Sequence, residues 1–110
     1  MRLSGRVAAI TGASAGIGRA TAEQLAREGA AVALSARRVG RLAEVVDGIT
    51  SRGGRAIAVP GDVTKDADMR TLVARAIEAF GHLDVMICNA GIGFHDAFER
   101  TPPEIGRAHV

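Results

Sequence analysis

Short runs that are apolar throughout alternate along the chain with longer stretches whose apolar residues fall at helical spacing. Arg6–Thr11 (RVAAIT) is the first short run, and it stops at glycines, as a strand covered on both faces does. From Ile17, apolar and small residues recur at Ile17, Ala20, Thr21, Gln24 and Leu25, close to one helical face, and Gly29 is placed to close that helix. Ala30–Ala36 (AAVALSA) predicts a second strand. Leu42, Val45, Val46 and Ile49 predict a second amphipathic helix, closed by Arg52–Gly54. Arg55–Asp62 (RAIAVPGD) reads as a third strand with Pro60 near its end, where a missing N–H is tolerated. Met69, Leu72, Val73, Ala76, Ile77 and Phe80 mark one face of a third helix, with charges opposite and Gly81 as its stop. Leu83–Gly91 (LDVMICNAG) supplies a fourth strand that runs into glycine.

Strands alternating with helices of this length imply βαβ units and a parallel sheet, with right-handed crossovers placing helices on both faces. The predicted fold class is therefore α/β: an incomplete doubly wound (Rossmann) fold of about four parallel strands with three helices. That is a little over half of a complete nucleotide-binding sheet. Residues 1–104 are expected to form the N-terminal part of such a domain.

Composition narrows the picture. At 47% hydrophobic and 24% charged, the chain reads as globular rather than disordered. A net charge of +2, no Lys/Arg run and three Phe as the whole aromatic content give no footprint for nucleic acid. No apolar run approaches the ~20 residues of a membrane helix, and MRLSGRVAAITG lacks the apolar stretch of a signal peptide. A single cysteine, Cys88, excludes an internal disulfide and suits a cytoplasmic location; as a thiol it is expected to fill a small apolar space. The histidines share no metal-ligand spacing, and His82 and His95 are expected to be solvated, so no metal site is expected.

The chemistry-bearing stretch is Thr11–Ala20 (TGASAGIGRA). In a doubly wound sheet the ligand sits at the carboxyl ends of the strands, where strand order reverses. Gly12 permits a tight exit from the first strand, while Gly16 and Gly18 let backbone and ligand approach closely. The helix that follows aims its free N–H groups and positive dipole end at the same spot, and a pyrophosphate is its natural guest. The spacing G-x-x-x-G-x-G, with Arg19 after the last glycine, differs from the P-loop's G-x-x-x-x-G-K-[ST], so an NTPase is disfavoured.

Thr11-Gly12-Ala13-Ser14-Ala15-Gly16-Ile17-Gly18 resembles the TGxxxGxG motif of the short-chain dehydrogenases/reductases, classical type. Asp62-Val63 is similar to that family's adenine-contacting Asp-Val, and Cys88-Asn89-Ala90-Gly91 to its NNAG, with Cys for the first Asn. The resemblance implies cofactor contacts from Gly12, Ser14, Gly16, Ile17, Gly18, Asp62 and Val63. It further implies that Asn89 braces the central sheet while Ala90 and Gly91 pass beneath the cofactor ribose.

Selectivity between the nicotinamide cofactors is expected at the end of the second strand. An NAD enzyme presents a carboxylate there to the ribose 2′-OH. Here Ala36 stands at that place and is followed by Arg37 and Arg38. Ala36 removes the repulsion of a 2′-phosphate, and Arg37 offers charge-assisted bonds to it. The expected cofactor is NADP(H), with NAD(H) second.

The family reduces carbonyls or oxidises alcohols by hydride transfer, using a Tyr whose acidity a Lys four residues later adjusts, with a Ser and an Asn. This sequence has no Tyr, its only Lys is Lys65, and its serines all precede Arg52. No catalytic residue is carried over, and the chain is expected to be inactive alone. The full-length parent is expected to take a small carbonyl or alcohol substrate and to form a homo-oligomer, whereas this chain is not. Residues 105–110 (IGRAHV) back-translate to a string resembling a sequencing adapter that continues into a stop, so they are expected to be a non-native tail. The fourth strand is then expected to be an apolar sheet edge. Two other readings stand beside the oxidoreductase: a non-catalytic NADP(H)-binding module, and an interaction protein that recruits a partner strand along that edge.

Overall fold

The computed structural model describes residues 2–62 and 64–89. Val63, Ala90, Gly91, His95 and the expected tail at 105–110 lie outside the described residues. The described chain runs β1 (Val7–Thr11), α1 (Gly16–Arg27), β2 (Ala31–Ser35), α2 (Val39–Ser51), β3 (Arg55–Ala58), α3 (Asp66–Phe80) and β4 (Val85–Ile87). All three strand pairings are parallel, and the order is β3-β2-β1-β4. The predicted α/β architecture of four parallel strands with three helices is the observed one.

Strand alternation divides the core. Ala8, Ile10, Val32 and Leu34 point to one face and meet Ala22 and Ala26 of α1 and Leu42, Val45 and Ile49 of α2. Ala9 and Ala33 point to the other, where Leu72 and Ala76 of α3 and Val59 cover them. Every residue of β1 and β2 is buried, which is why these runs are apolar without alternation. Among the described residues β4 pairs with β1 alone, and Val85, Met86 and Ile87 are half-buried.

The face of α1 differs from the expected one. Gly18, Ala22 and Ala26 are buried, Leu25 is half-buried, and Ile17 is 77% exposed. A stripe of Gly and Ala lets the helix lie close to the sheet, and Ile17, about 100° around the helix before Gly18, falls off that stripe on its outer side. Ile77 of α3 is likewise 46% exposed rather than buried with Leu72 and Ala76. The helix stops follow expectation: Gly81 adopts φ 91°, and its N–H closes on the Ile77 carbonyl at 2.7 Å.

At the amino ends of the strands, one carboxylate ties β1 to β4. Asp84 Oδ2 accepts the Val7 N–H at 2.8 Å, and the Asp84 N–H donates to the Val7 carbonyl at 2.9 Å. His82 is not simply solvated as expected: its Nε2 lies 2.9 Å from Asp84 Oδ2 and 3.0 Å from the Gly5 carbonyl, so it carries a hydrogen toward two acceptors. The Val7 N–H, with His82 and Arg6 adding to it, holds the Asp84 carboxyl below the usual carboxylate range.

A carboxyl whose folded pKa is lowered contributes stability that is present above its unfolded pKa of about 3.9 and is lost as pH falls through the folded value. Asp84→Asn is therefore expected to flatten the acid limb of stability below about pH 4 while leaving a neutral acceptor for Val7. Urea unfolding of the two proteins from pH 2.5 to 7 checks this. Parallel acid limbs would show that Asp84 carries none of the dependence.

Candidate functional site

Strand order reverses between β1 and β4, so the carboxyl ends of these two strands flank the switch point. The glycine loop leaves β1 at this point, and two hydrogen bonds and one close backbone approach fix it. Ala13 N–H donates to the Ser35 carbonyl of β2 at 3.1 Å, and the fully buried Thr11 hydroxyl accepts the Asn89 N–H at 3.0 Å. Gly12 then passes directly under Asn89: at φ +61°, an added Cβ would overlap the Asn89 carbonyl.

The three glycines have separate tasks. A Cβ on Gly18 would overlap the Gly12 carbonyl and stand 2.9 Å from Asn89 Nδ2. Gly18 is buried, and its missing side chain lets α1 pack under the loop. Gly16 differs: it has φ +59° and nothing within 4 Å of the Cβ position, so the space above it is open. Ser14 is half-buried and Ile17 exposed on the same rim.

Helix α1 begins at this opening with an uncompensated end. Its N-cap, Ala15, makes no side-chain cap bond, and no acidic residue stands in the first turn. Its first N–H groups and positive dipole end are therefore left to whatever occupies the space above Gly16, and an anion suits them. Helix α2 starts in the same way, with Arg38 as N-cap, no side-chain cap bond and no acid in its first turn. Arg37 is exposed just before it, and Ala36 beside it is buried.

Asp62, expected from sequence to contact the adenine, lies next along the sheet edge. Gly61 N–H donates to the Ala36 carbonyl at 3.1 Å, which brings Asp62 beside Ala36 and Arg37. Asp62 Oδ1 accepts the Thr64 N–H at 3.0 Å and the Thr64 hydroxyl at 2.7 Å. These bonds, with Arg37 and Lys65 nearby, hold the Asp62 carboxyl below the usual carboxylate range. Lys65 is the N-cap of α3. Cys88, half-buried beside Thr11, has its thiol pushed up by burial and is no activated nucleophile.

Of the residues singled out from sequence, Gly12, Ser14, Gly16, Ile17, Gly18, Arg37, Asp62 and Asn89 thus come together along the carboxyl edge of the sheet. Val63, Ala90 and Gly91 lie outside the described residues. Sequence reading missed Thr11 as the hydroxyl that receives β4, Asp84 as the clamp at the opposite end, and Asp68, whose Oδ2 accepts the Asp62 N–H at 2.7 Å. Two concave spaces, of about 240 and 350 Å³, lie toward the amino ends of the strands beside Gly29 and Gly53 and beside Leu3 and Val85. Neither includes a glycine of the loop. Among the described residues no group of His, Cys, Asp or Glu is arranged to hold a metal ion, and no helix is long and apolar enough to cross a membrane.

A parallel sheet with a glycine loop and an uncapped helix start at its switch point, and a basic pair after the neighbouring strand β2, has the layout of a dinucleotide-binding module. Its family follows from comparison. The short chain dehydrogenase model matches residues 6–107, and the chain belongs to that family of oxidoreductases. An uncharacterised oxidoreductase of Methylorubrum extorquens is 45% identical over 105 residues, which is 94% of this chain and 42% of that protein. The chain thus spans less than half the length of that relative. A Burkholderia cenocepacia short chain dehydrogenase solved in complex with NADP superposes with a TM-score of 0.79 at 45% identity, covering 84% of this chain and 38% of that one. A Burkholderia phymatum relative in complex with NAD gives 0.76 at 38% identity, covering 79% and 31%.

Proposed function

We propose that this chain is the cofactor-binding half of an NADP(H)-dependent oxidoreductase that interconverts a small carbonyl and its alcohol. The observation that carries this reading is the convergence of the loop at Gly12–Gly18, the uncapped start of α1 and the exposed Arg37 on one edge of the sheet. When bound, the nicotinamide supplies the hydride acceptor or donor. The chain's own residues bind and orient. The first N–H groups of α1 receive the pyrophosphate, Arg37 the 2′-phosphate, and Asp62 with Val63 the adenine; Asn89, Ala90 and Gly91 run beneath the ribose.

Ala36 in place of a carboxylate supports NADP(H) over NAD(H). A charge-assisted bond from Arg37 is worth roughly 1.5–3 kcal/mol, which corresponds to about a ten- to hundredfold preference. Fluorescence titration of the chain with NADPH and NADH is expected to show that preference, and Arg37→Ala to remove it with little change for NADH. Equal affinities in the unmodified chain would refute the NADP(H) assignment.

With no Tyr in the sequence, the chain is proposed to bind without turning over. Stoichiometric NADPH binding with no oxidation on addition of aldehydes and ketones is the expected result. That result is shared by a non-catalytic NADP(H)-binding module, a second reading which the absent Tyr favours. The carbonyl or alcohol substrate and homo-oligomeric assembly are proposed for the longer protein, and a cytoplasmic location rests on the single cysteine.

A further inference from the structure

We propose that Asp68 is the positioning residue for the adenine end of the site, acting through Asp62; this rests on the dinucleotide reading above. Asp68 is the third residue of α3, a position from which a carboxylate ordinarily turns back to the N-cap of its own helix. Here Asp68 reaches further: its Oδ2 accepts the N–H of Asp62, three residues before the N-cap Lys65, at 2.7 Å. It also packs over Gly61, where an added Cβ would stand 3.2 Å from the Asp68 Cβ.

The bonds on Asp62 then account for nearly all of its freedom. Asp68 takes its N–H, the Lys65 N–H donates to its carbonyl at 2.9 Å, and Thr64 occupies Oδ1 through both its N–H and its hydroxyl. Among the described residues Oδ2 alone keeps no partner, and it belongs to a turn that Gly61 pins to Ala36, one residue before Arg37. A fixed acceptor on that edge suits a group that offers hydrogen-bond donors, such as the 6-amino group of adenine, and rejects one that offers an acceptor. Because α3 is anchored through Leu72 and Ala76, Asp68 transmits a fixed helix frame to the residue that reads the base.

The test is a comparison of NADPH with its hypoxanthine analogue, which carries a 6-oxo acceptor in place of the amino group. Both are titrated by fluorescence against the unmodified chain, Asp68→Ala and Asp68→Asn. The unmodified chain is expected to prefer NADPH by about tenfold, as one lost charge-assisted bond would give. Asp68→Ala should bring the two ligands together, and Asp68→Asn, which keeps an acceptor for Asp62, should retain most of the preference. A merely structural role would weaken both ligands alike in Asp68→Ala and leave their ratio unchanged, and that result overturns the proposal. So does an unmodified chain that fails to distinguish the two ligands.

A second measurement needs no ligand. In the amide spectrum of the free protein, Asp68→Ala should shift the Asp62 and Thr64 resonances and remove the hydrogen-exchange protection of Asp62; unmoved signals overturn the hold of Asp68 on Asp62. If the unmodified chain binds neither dinucleotide, the dinucleotide reading falls, and the amide signals decide the Asp68–Asp62 coupling by themselves.

Discussion

Gly12→Ala is expected to lower stability by about 2–5 kcal/mol and to abolish dinucleotide binding. Two costs fall on one residue. The first is conformational: φ at Gly12 is +61°, a region that disfavours any Cβ by roughly 1–2 kcal/mol. The second is steric. The new methyl would overlap the Asn89 carbonyl, a backbone atom held in place because its own residue donates to the buried Thr11 hydroxyl. A backbone carbonyl has no rotamer to yield with, so the loop or the segment after β4 must move.

Gly16→Ala is the internal control. It shares the positive φ, at +59°, but its Cβ meets nothing within 4 Å. Only the conformational part applies, about 1–2 kcal/mol, and the methyl projects into the space where the ligand is proposed to sit. Thermal melts should therefore separate the pair, with Gly12→Ala falling by about 10–20 °C and Gly16→Ala by about half that or less. Both should lose NADPH affinity. Equal melting temperatures would show that the contact with Asn89 contributes nothing and that the loop relaxes freely.

Elements whose identity depends on apolar spacing were legible before the structure was known. Leu42, Val45 and Ile49 lie buried where their spacing put them, and so do Leu72 and Ala76. The glycine loop was legible too, because three glycines between a strand and a helix have few other uses. Helix α1 was read on the wrong face, since Ile17 outweighs Gly18, Ala22 and Ala26 in any sum of hydrophobicity. Packing against a sheet is decided by how closely two backbones approach, and there the small residues win. Their spacing of four was the available signal.

Long-range polar contacts were not legible at all. The bond from Asp84 to Val7 spans 77 positions, and that from Asn89 to Thr11 spans 78. No local pattern distinguishes these residues from ordinary solvated ones; only the sheet order, which brings β4 beside β1, makes them partners. The same two bonds place β4 at both of its ends. One end is a clamp and the other forms the floor of the proposed cofactor site, so part of the site is made of the bonds that close the sheet.

Leu72→Ala should then be felt both in the fold and at the site. Leu72 is fully buried on α3, in a cluster otherwise made of Ala9, Ala33, Val59 and Ala76 with half-buried Ile57, Phe80, Leu83 and Met86 around it. The alanines on the sheet have no side-chain freedom with which to fill the space left behind, so the cavity stays open. The expected cost is about 2–5 kcal/mol. Leu72→Met, which keeps the volume, should cost under about 1.5 kcal/mol. Ile77→Ala, at a position that is 46% exposed on the same helix, should fall within about 0.5 kcal/mol of the unmodified chain. Urea unfolding of the three variants ranks them, and equal losses for Leu72→Ala and Ile77→Ala would show that α3 is not docked through Leu72. The helix also carries Asp68, whose carboxylate holds the Asp62 N–H. Loosening α3 at Leu72 is therefore expected to reduce hydrogen-exchange protection at Asp62 more than at Ala13, whose bond to Ser35 belongs to the other side of the loop. Equal loss at both amides would mean that the variant melts as one unit and that the coupling from α3 to the Asp62 turn is no stronger than the coupling of α3 to the rest of the sheet.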